Sequence, residues 1–184
     1  SLLGQGPGSI CTTRVVCGVG IPQVTAIREC AHALEGFCIP IIADGGIKYS
    51  GNLVIAIVAG ADAVMLGNIL AGTDEAPGQK KNINGQYMKE HYGMGSERAM
   101  HESEESRKRY GQQGIPSGKW TPEGVEGLVP YCGSVEHVIG NHMGGVKSAM
   151  GYLNARNIRD MRQVRGVQIT DAAWRESHPH DIFI

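Results

Sequence analysis

The chain has 184 residues, with 17 Lys plus Arg against 18 Asp plus Glu and a formal net charge of -1. That balance excludes a broad electrostatic surface for nucleic acid or an anionic membrane, so neither is expected as a partner. The length allows one domain but not two large ones, and no apolar run nears the ~20 residues needed to span a bilayer.

In chain order, the first nine residues read as a loop, punctuated by Gly4, Gly6, Pro7 and Gly8. A second punctuated stretch, Gly18-Val19-Gly20-Ile21-Pro22, precedes a helical pattern over 23–34. There Val24, Ile27, Ala31 and Leu34 share one face, and Gly36 is the stop. Ile39-Pro40-Ile41-Ile42-Ala43 is a short apolar run ending in Asp44-Gly45-Gly46, as in a buried parallel strand feeding a glycine turn. A helix over 53–58, ended by Gly60, leads to a second buried strand, Ala63-Val64-Met65-Leu66, with Gly67-Asn68 at its carboxyl end. Strand, helix and strand at this spacing predict βαβ units. Asn82-Ile83-Asn84-Gly85 predicts a hairpin turn between 79–81 and 86–89.

Residues 93–130 are polar, rich in Gly, Ser, Glu and Arg, and lack an apolar period. Such a stretch reads as a functional lid or a disordered segment. Helices are expected over 134–150 and 157–164, and the tail over 175–181 is polar and irregular. Two clear buried strands, three at most, are too few for a parallel sheet covered on both faces. The sequence therefore reads as a piece of a larger α/β fold. Glycine, at 27 residues, is about twice the usual ~7% share, which fits loops where backbone approaches a ligand. The five cysteines are odd in number and lack ligand-pair spacing, and Ser1-Leu2-Leu3-Gly4 carries no signal-peptide pattern. A reducing, cytoplasmic location is the expectation.

The chemistry concentrates in Gly6-Pro7-Gly8-Ser9-Ile10-Cys11-Thr12-Thr13-Arg14, where glycines crowd one cysteine. Amide dipoles and nearby cations favour a nucleophilic thiolate, although a buried structural cysteine is the plain alternative. Asp44 at a strand end can accept hydrogen bonds from a ribose diol. The amides of Gly45-Gly46 and Gly67-Asn68 can bind phosphate, or form nothing more than tight turns. Two such turns after successive strands resemble the phosphate site of a (β/α)8 barrel.

On these residues the sequence resembles the IMP dehydrogenase / GMP reductase family. The cysteine loop, Ala43-Asp44-Gly45-Gly46, Met65-Leu66-Gly67, Gly93-Met94-Gly95-Ser96 and Glu123-Gly124-Val125-Glu126-Gly127 are similar to family motifs, in family order. The resemblance implies an α/β fold, the C-terminal portion of a (β/α)8 TIM barrel with an inserted mobile flap at about 93–130. It places strands one to five and a regulatory insertion outside this sequence. It also implies oxidation of IMP to XMP with NAD, in guanine nucleotide synthesis, by a cytoplasmic homotetramer.

In that reading Cys11 attacks C2 of hypoxanthine and Thr13 helps to position water. Asp44 binds the ribose hydroxyls, and Gly45 and Gly93 are further substrate-binding residues. Ser9, Gly46, Gly67 and Asn68 bind the 5′-phosphate, and Met94 and Gly95 meet the purine edge, with Glu123 close by. Arg109-Tyr110 stands where the family's flap delivers an Arg-Tyr pair to the hydrolytic step, although a guanidinium is an unusual base. Without that context Arg107-Lys108-Arg109 is a solvated charge run. A potassium ion would take backbone carbonyls of Gly6, Gly8 and Cys11, completed by Glu176, Ser177 and His178 of a neighbouring copy. His178-Pro179-His180 alone does not make a zinc site.

One departure stands out. The family usually shows Tyr-Arg-Gly-Met-Gly, whereas this chain has His91-Tyr92-Gly93-Met94-Gly95. A tyrosine directly before Gly-Met resembles GMP reductases, which puts the phosphate role of Tyr92 in question. Reduction of GMP to IMP with NADPH is the alternative activity, and a non-catalytic nucleotide-binding barrel fragment is the alternative class.

Overall fold

The computed structural model describes residues 1–180 and 182; the last predicted tail residue, Asp181, lies outside them. The first layer is a parallel sheet of three short strands in the order β1 (Leu2–Leu3), β2 (Ile42–Asp44), β3 (Ala63–Met65). Leu3 pairs with Ala43, and Asp44 with Met65. Between the strands run α1 (Thr13–Val16), α2 (Gln23–Ala33) and α3 (Ser50–Ala59). This is one arc of a barrel: strand, helix and strand repeat in the same sense, with neighbouring strands parallel.

The core of this arc is aliphatic. Ile27, Ile41, Ala43, Ala56 and Ala61 are buried together, with Leu3, Leu34 and Val64 packed around them. The helical face read from Val24, Ile27, Ala31 and Leu34 supplies its one fully buried member, Ile27, to this cluster. The strand expected over 39–43 begins later, at Ile42. Pro40 has no N–H to give a ladder, and the Ile41 N–H donates instead to the Asp62 carboxylate at 2.7 Å. The α3 helix starts three residues earlier than expected, because Asn52 Oδ1 accepts the Lys48 and Tyr49 N–H groups at 3.1 and 2.9 Å.

After β3 come α4 (Asn68–Ala71) and a second, antiparallel sheet: β4 (Lys80–Ile83), β5 (Gln86–Tyr92) and β6 (Glu126–Pro130). The hairpin turn falls where the sequence placed it. Asn84 and Gly85 both have positive φ, 52° and 85°, as a two-residue turn of type I′ requires.

The second sheet is fastened to the first layer by polar groups. Lys89 is only 4% exposed, and its ammonium donates to the carbonyls of Thr73, at 2.6 Å, and Ala76. The Tyr131 hydroxyl donates to the Asp74 carboxylate at 2.9 Å. A buried ammonium is tolerated only when its protons are satisfied, so Lys89 fixes β5 against the loop after α4.

The stretch over 93–130, read as a featureless lid, carries local structure. It contains α5 (Glu97–Glu102), α6 (Glu104–Arg109), a 3-10 turn at Ser117–Lys119 and strand β6. Ser96 Oγ accepts the Ala99 N–H and Ser103 Oγ the Ser106 N–H, so each helix begins with a serine cap. In α6 the acidic first turn and basic last turn complement the helix dipole. These helices are too short to show an apolar period, yet Ala99 and Met100 are buried.

Then α7 (Val135–Tyr152) packs across α3, starting at a Ser134 cap and running two residues past the expected end. The last expected helix shortens to α8 (Ile158–Met161), and the Arg162 guanidinium binds the Asp62 carboxylate at 2.6 Å. The tail holds a short helix, α9 (Asp171–Glu176), which the sequence reading did not anticipate. Among the described residues no helix is long and apolar enough to cross a membrane.

Candidate active site

Six segments meet at the carboxyl ends of the parallel strands: the loop after β1, the glycine turn after β2, the glycine turn after β3, the end of β5 with its following turn, the end of α6, and residues 123–124 before β6. They enclose one cavity of about 1090 Å³. Its walls include Cys11, Thr13, Arg109 and Tyr110. They also include Ser9, Asp44, Gly45, Gly46, Gly67, Asn68, Tyr92, Gly93, Met94, Gly95 and Glu123. Gly6 and Gly8 line the same cavity. Glu176, Ser177 and His178 do not; they lie at the end of α9.

The cysteine loop is held from three sides. The Arg14 guanidinium donates to the carbonyls of Gln5, at 3.1 Å, and Ile21, at 2.7 Å, closing the loop on itself. The Thr12 N–H donates to the Glu123 carbonyl at 2.8 Å, and the Val125 N–H to the Ile10 carbonyl at 2.9 Å. Cys11 is thus bridged to Gly124, 113 positions away in the chain. On the third side the loop lies on the β2 turn. Gly45 has φ +83°, and a Cβ there would stand 2.8 Å from Pro7 Cγ and 3.1 Å from the Gly8 nitrogen. Only glycine allows that approach.

Within the cavity Cys11 Sγ is 3.1 Å from Thr13 Oγ1. Either group can be the donor in this contact. Tyr110 packs its ring against Gly95, where a Cβ would come within 2.7 Å of the ring. Burial and the Cys11 sulfur charge push the Tyr110 phenol up, with Arg109 opposing, so the phenol keeps its proton at neutral pH. Burial also raises the Asp44 carboxyl, and the Arg109 guanidinium pulls it back down. Tyr92 turns its hydroxyl to the Glu102 carboxylate at 2.8 Å, under the Arg98 guanidinium.

Three wall residues were given no site role from sequence, although His91 stands in the motif that departs from the family pattern. Cys17 follows α1, with its N–H on the Thr13 carbonyl at 2.8 Å; desolvation and the Glu123 carboxylate push its thiol up. Lys48 brings a cation to the mouth near Gly46. His91 is half-buried where this cavity meets a second one of about 500 Å³ behind β5. Burial lowers its imidazole.

Two bound groups can be tested against these walls. A monovalent cation needs unengaged carbonyls. Among the described residues those of Gly6 and Cys11 accept no hydrogen bond, whereas that of Gly8 takes the Cys11 N–H at 3.1 Å. The set fits a weakly hydrated ion on one side. A nicotinamide dinucleotide needs room beside a nucleotide, and the cavity's volume exceeds the usual small-ligand range of roughly 300–1,000 Å³.

The arrangement predicts a pH dependence. A carboxylate accepts both hydroxyls of a ribose only when ionised, and a raised pKa means that Asp44 protonates earlier on acidification than an ordinary aspartate. On the expectation that Asp44 takes a nucleotide's ribose, nucleotide affinity, measured by titration calorimetry against pH, should begin to fall on acidification at a pH above the usual aspartate range. Asp44→Asn should remove that inflection; an unchanged profile would place the ribose elsewhere.

Comparison with known proteins gives a consistent picture. The family model described as "IMP dehydrogenase / GMP reductase domain" matches residues 2–180. The chain is 54% identical over 183 residues to an inosine-5'-monophosphate dehydrogenase of Aquifex aeolicus, and 53% identical over 188 residues to one of Methanocaldococcus jannaschii. In each case 99% of this chain is covered, but only 37% and 38% of the relative. The chain thus spans a little over a third of these relatives' length. A crystal structure of a Trypanosoma brucei GMP reductase in complex with guanosine 5'-monophosphate superposes with a TM-score of 0.86 at 41% identity. It covers 99% of this chain and 36% of that one.

Proposed function

The chain belongs to the IMP dehydrogenase / GMP reductase family, and on that premise we propose that it carries the catalytic half of an IMP dehydrogenase site. The observation that supports this most is the meeting of the Cys11 thiol, the Arg109-Tyr110 pair and both strand-end glycine turns in one cavity. The nucleotide lies with its phosphate on Gly46 and Gly67-Asn68, its ribose on Asp44 and its base against Met94 and Gly95. The Cys11 sulfur then faces C2 of the hypoxanthine.

Two half-reactions follow. The thiolate adds to C2 and forms a C–S bond; the C2 hydrogen leaves as hydride. NAD, when bound, supplies the acceptor for that hydride. What remains on the protein is a cysteine thioimidate. In the second half-reaction water adds to C2, its proton passes to a base, and the C–S bond breaks to give XMP and free thiol. Tyr110 and Thr13 hold the water by hydrogen bonds, with Arg109 beside them; a guanidinium already carries its full set of protons, so Arg109 takes up the water's proton only after yielding one of its own to solvent. Glu123 closes the same wall.

A potassium ion on the Gly6 and Cys11 carbonyls would stiffen the loop from below. Its remaining ligands would come from Glu176, Ser177 and His178 of a neighbouring copy, whose carbonyls accept no hydrogen bond among the described residues. This implies a cyclic homo-oligomer, with a tetramer as the expected form.

GMP reduction is the second reading. Tyr92 directly before Gly93-Met94 and the likeness to a GMP reductase structure favour it. That reaction releases ammonia and has no use for a water-activating pair at residues 109–110, which is why it comes second. The deciding experiment is an assay of the full-length polypeptide with IMP and NAD, then with GMP and NADPH, followed at the nicotinamide absorbance band. Signal growth in the first mixture and no change in the second is expected; signal loss in the second with no change in the first would assign the reductase, and no change in either would leave a binding module.

A further inference from the structure

We propose that Arg107 is the positioning residue for the segment running from Arg109 to Glu123. It sets where that segment stands in the cavity by clamping Trp120 onto α5. The inference rests on the dehydrogenase reading for its kinetic consequence, but not for its geometry.

The chain leaves the cavity at Tyr110 and returns to it at Glu123, both wall residues. The intervening loop is tied within itself. The Gln112 N–H donates to the Arg107 carbonyl at 2.8 Å, and its side-chain amide donates to the Tyr110 carbonyl at 3.0 Å. The amide oxygen of Gln112 accepts the Thr121 N–H at 3.1 Å, and the Trp120 indole N–H donates to the Ile115 carbonyl at 2.9 Å. These bonds give the loop a shape, and the Gln112 bond, with the Gln113 amide on the Glu104 carboxylate at 3.0 Å, ties it to α6, but none of them reaches the buried core.

Its place comes from α5. The Arg107 guanidinium lies 5.8 Å from the Trp120 ring centroid and donates to the carbonyl of Met100, a fully buried residue. On the same indole the His101 ring packs edge-on at 4.8 Å and 61°. One guanidinium thus joins a fixed core position to the loop's largest side chain. The charge run divides accordingly. Lys108 forms an exposed pair with Glu105 at 3.4 Å, Arg109 lines the cavity, and Arg107, half-buried, holds the clamp.

Arg107→Met keeps the aliphatic stem and removes the flat cation. In the full-length polypeptide, amide hydrogen exchange at Tyr110, Gln112 and Thr121 should accelerate by about 10-fold, with α7 unchanged. In turnover with IMP and NAD, the first burst of hydride transfer should persist. Steady-state kcat should fall by about 10-fold as misplaced groups slow hydrolysis, and the Cys11 adduct should build up. Arg107→Lys, which lacks the planar face, should resemble Arg107→Met.

Unchanged exchange in Arg107→Met, or an Arg107→Lys protein like the parent, would overturn the proposal. So would an equal loss of burst and kcat, which marks a merely structural role. If the parent protein forms no NADH while Arg107→Met still loosens the loop, the dehydrogenase reading fails and the clamp stands.

Discussion

Replacing Cys11 by alanine is expected to abolish turnover, lowering kcat by roughly 10⁴-fold or more, because the proposed bond to C2 is made by its sulfur, and the other thiol of the cavity wall, Cys17, is pushed towards its neutral form by desolvation and the Glu123 carboxylate. Nucleotide binding should change little. The loop is held by Arg14, by backbone bonds to the 123–125 segment and by its seat on Gly45, none of which uses the sulfur. The sulfur's polar partner within the protein is the Thr13 hydroxyl at 3.1 Å. Steady-state assay of the full-length variant, with calorimetric titration of IMP, separates the two effects. A Cys11→Ala protein that turned over IMP near the parent rate would rule out covalent catalysis.

Replacing Arg109 by alanine should give the second largest effect, and of a different kind. In the proposed mechanism hydride transfer depends on Cys11 and on the seat of the nucleotide, which Arg109 reaches only through the charge of Asp44. Hydrolysis depends on a group that accepts the proton of water, a contribution typically worth about 10²–10⁴-fold. The variant should show a burst of NADH close to one per site, then a stall. The adduct on Cys11 should be visible as added mass on the intact protein. Tyr110 cannot take over at neutral pH, since burial and the neighbouring sulfur charge hold its phenol protonated. Losing Arg109 also removes the cation that pulls Asp44 down, so acid loss of nucleotide affinity should begin at higher pH. Equal slowing of both steps would refute the role given to this pair.

The pattern that carried the reading was local. Apolar runs closed by Asp44-Gly45-Gly46 and Gly67-Asn68 announce parallel strands ending in tight turns, although β3, with Ala63 and Met65 exposed, is not the buried strand that its sequence suggests. The hairpin at Asn84-Gly85 was equally legible, since two consecutive positive φ values demand those residues. The helices within 93–130 were not. Each is six residues long, shorter than the window in which a 3.6-residue period shows itself, and each owes its start to a serine cap. Strand β6 was hidden for a related reason: most of its residues are exposed on a two-sided polar sheet, so no alternation marks it.

The fate of the basic run at 107–109 shows the same boundary. From sequence the three residues differ only in order, and a solvated face is a fair reading. In the fold one pairs with Glu105 in solvent, one reaches the cavity and one rests against Trp120. A helix turns 100° per residue, so neighbours in sequence face different surroundings, and the surroundings decide the role.

What the sequence determined by itself was the chemistry on offer and its local scaffolding: a cysteine among glycines, a carboxylate at a strand end, two turns free of side chains, a family pattern across the chain. What only the tertiary structure decided was adjacency. Cys11 meets Gly124, Gly95 carries the Tyr110 ring, and Lys89 in β5 holds the loop after α4. Such pairings are set by packing and by the need to satisfy every buried polar group. Those constraints act through space between segments whose separation along the chain carries no record of it.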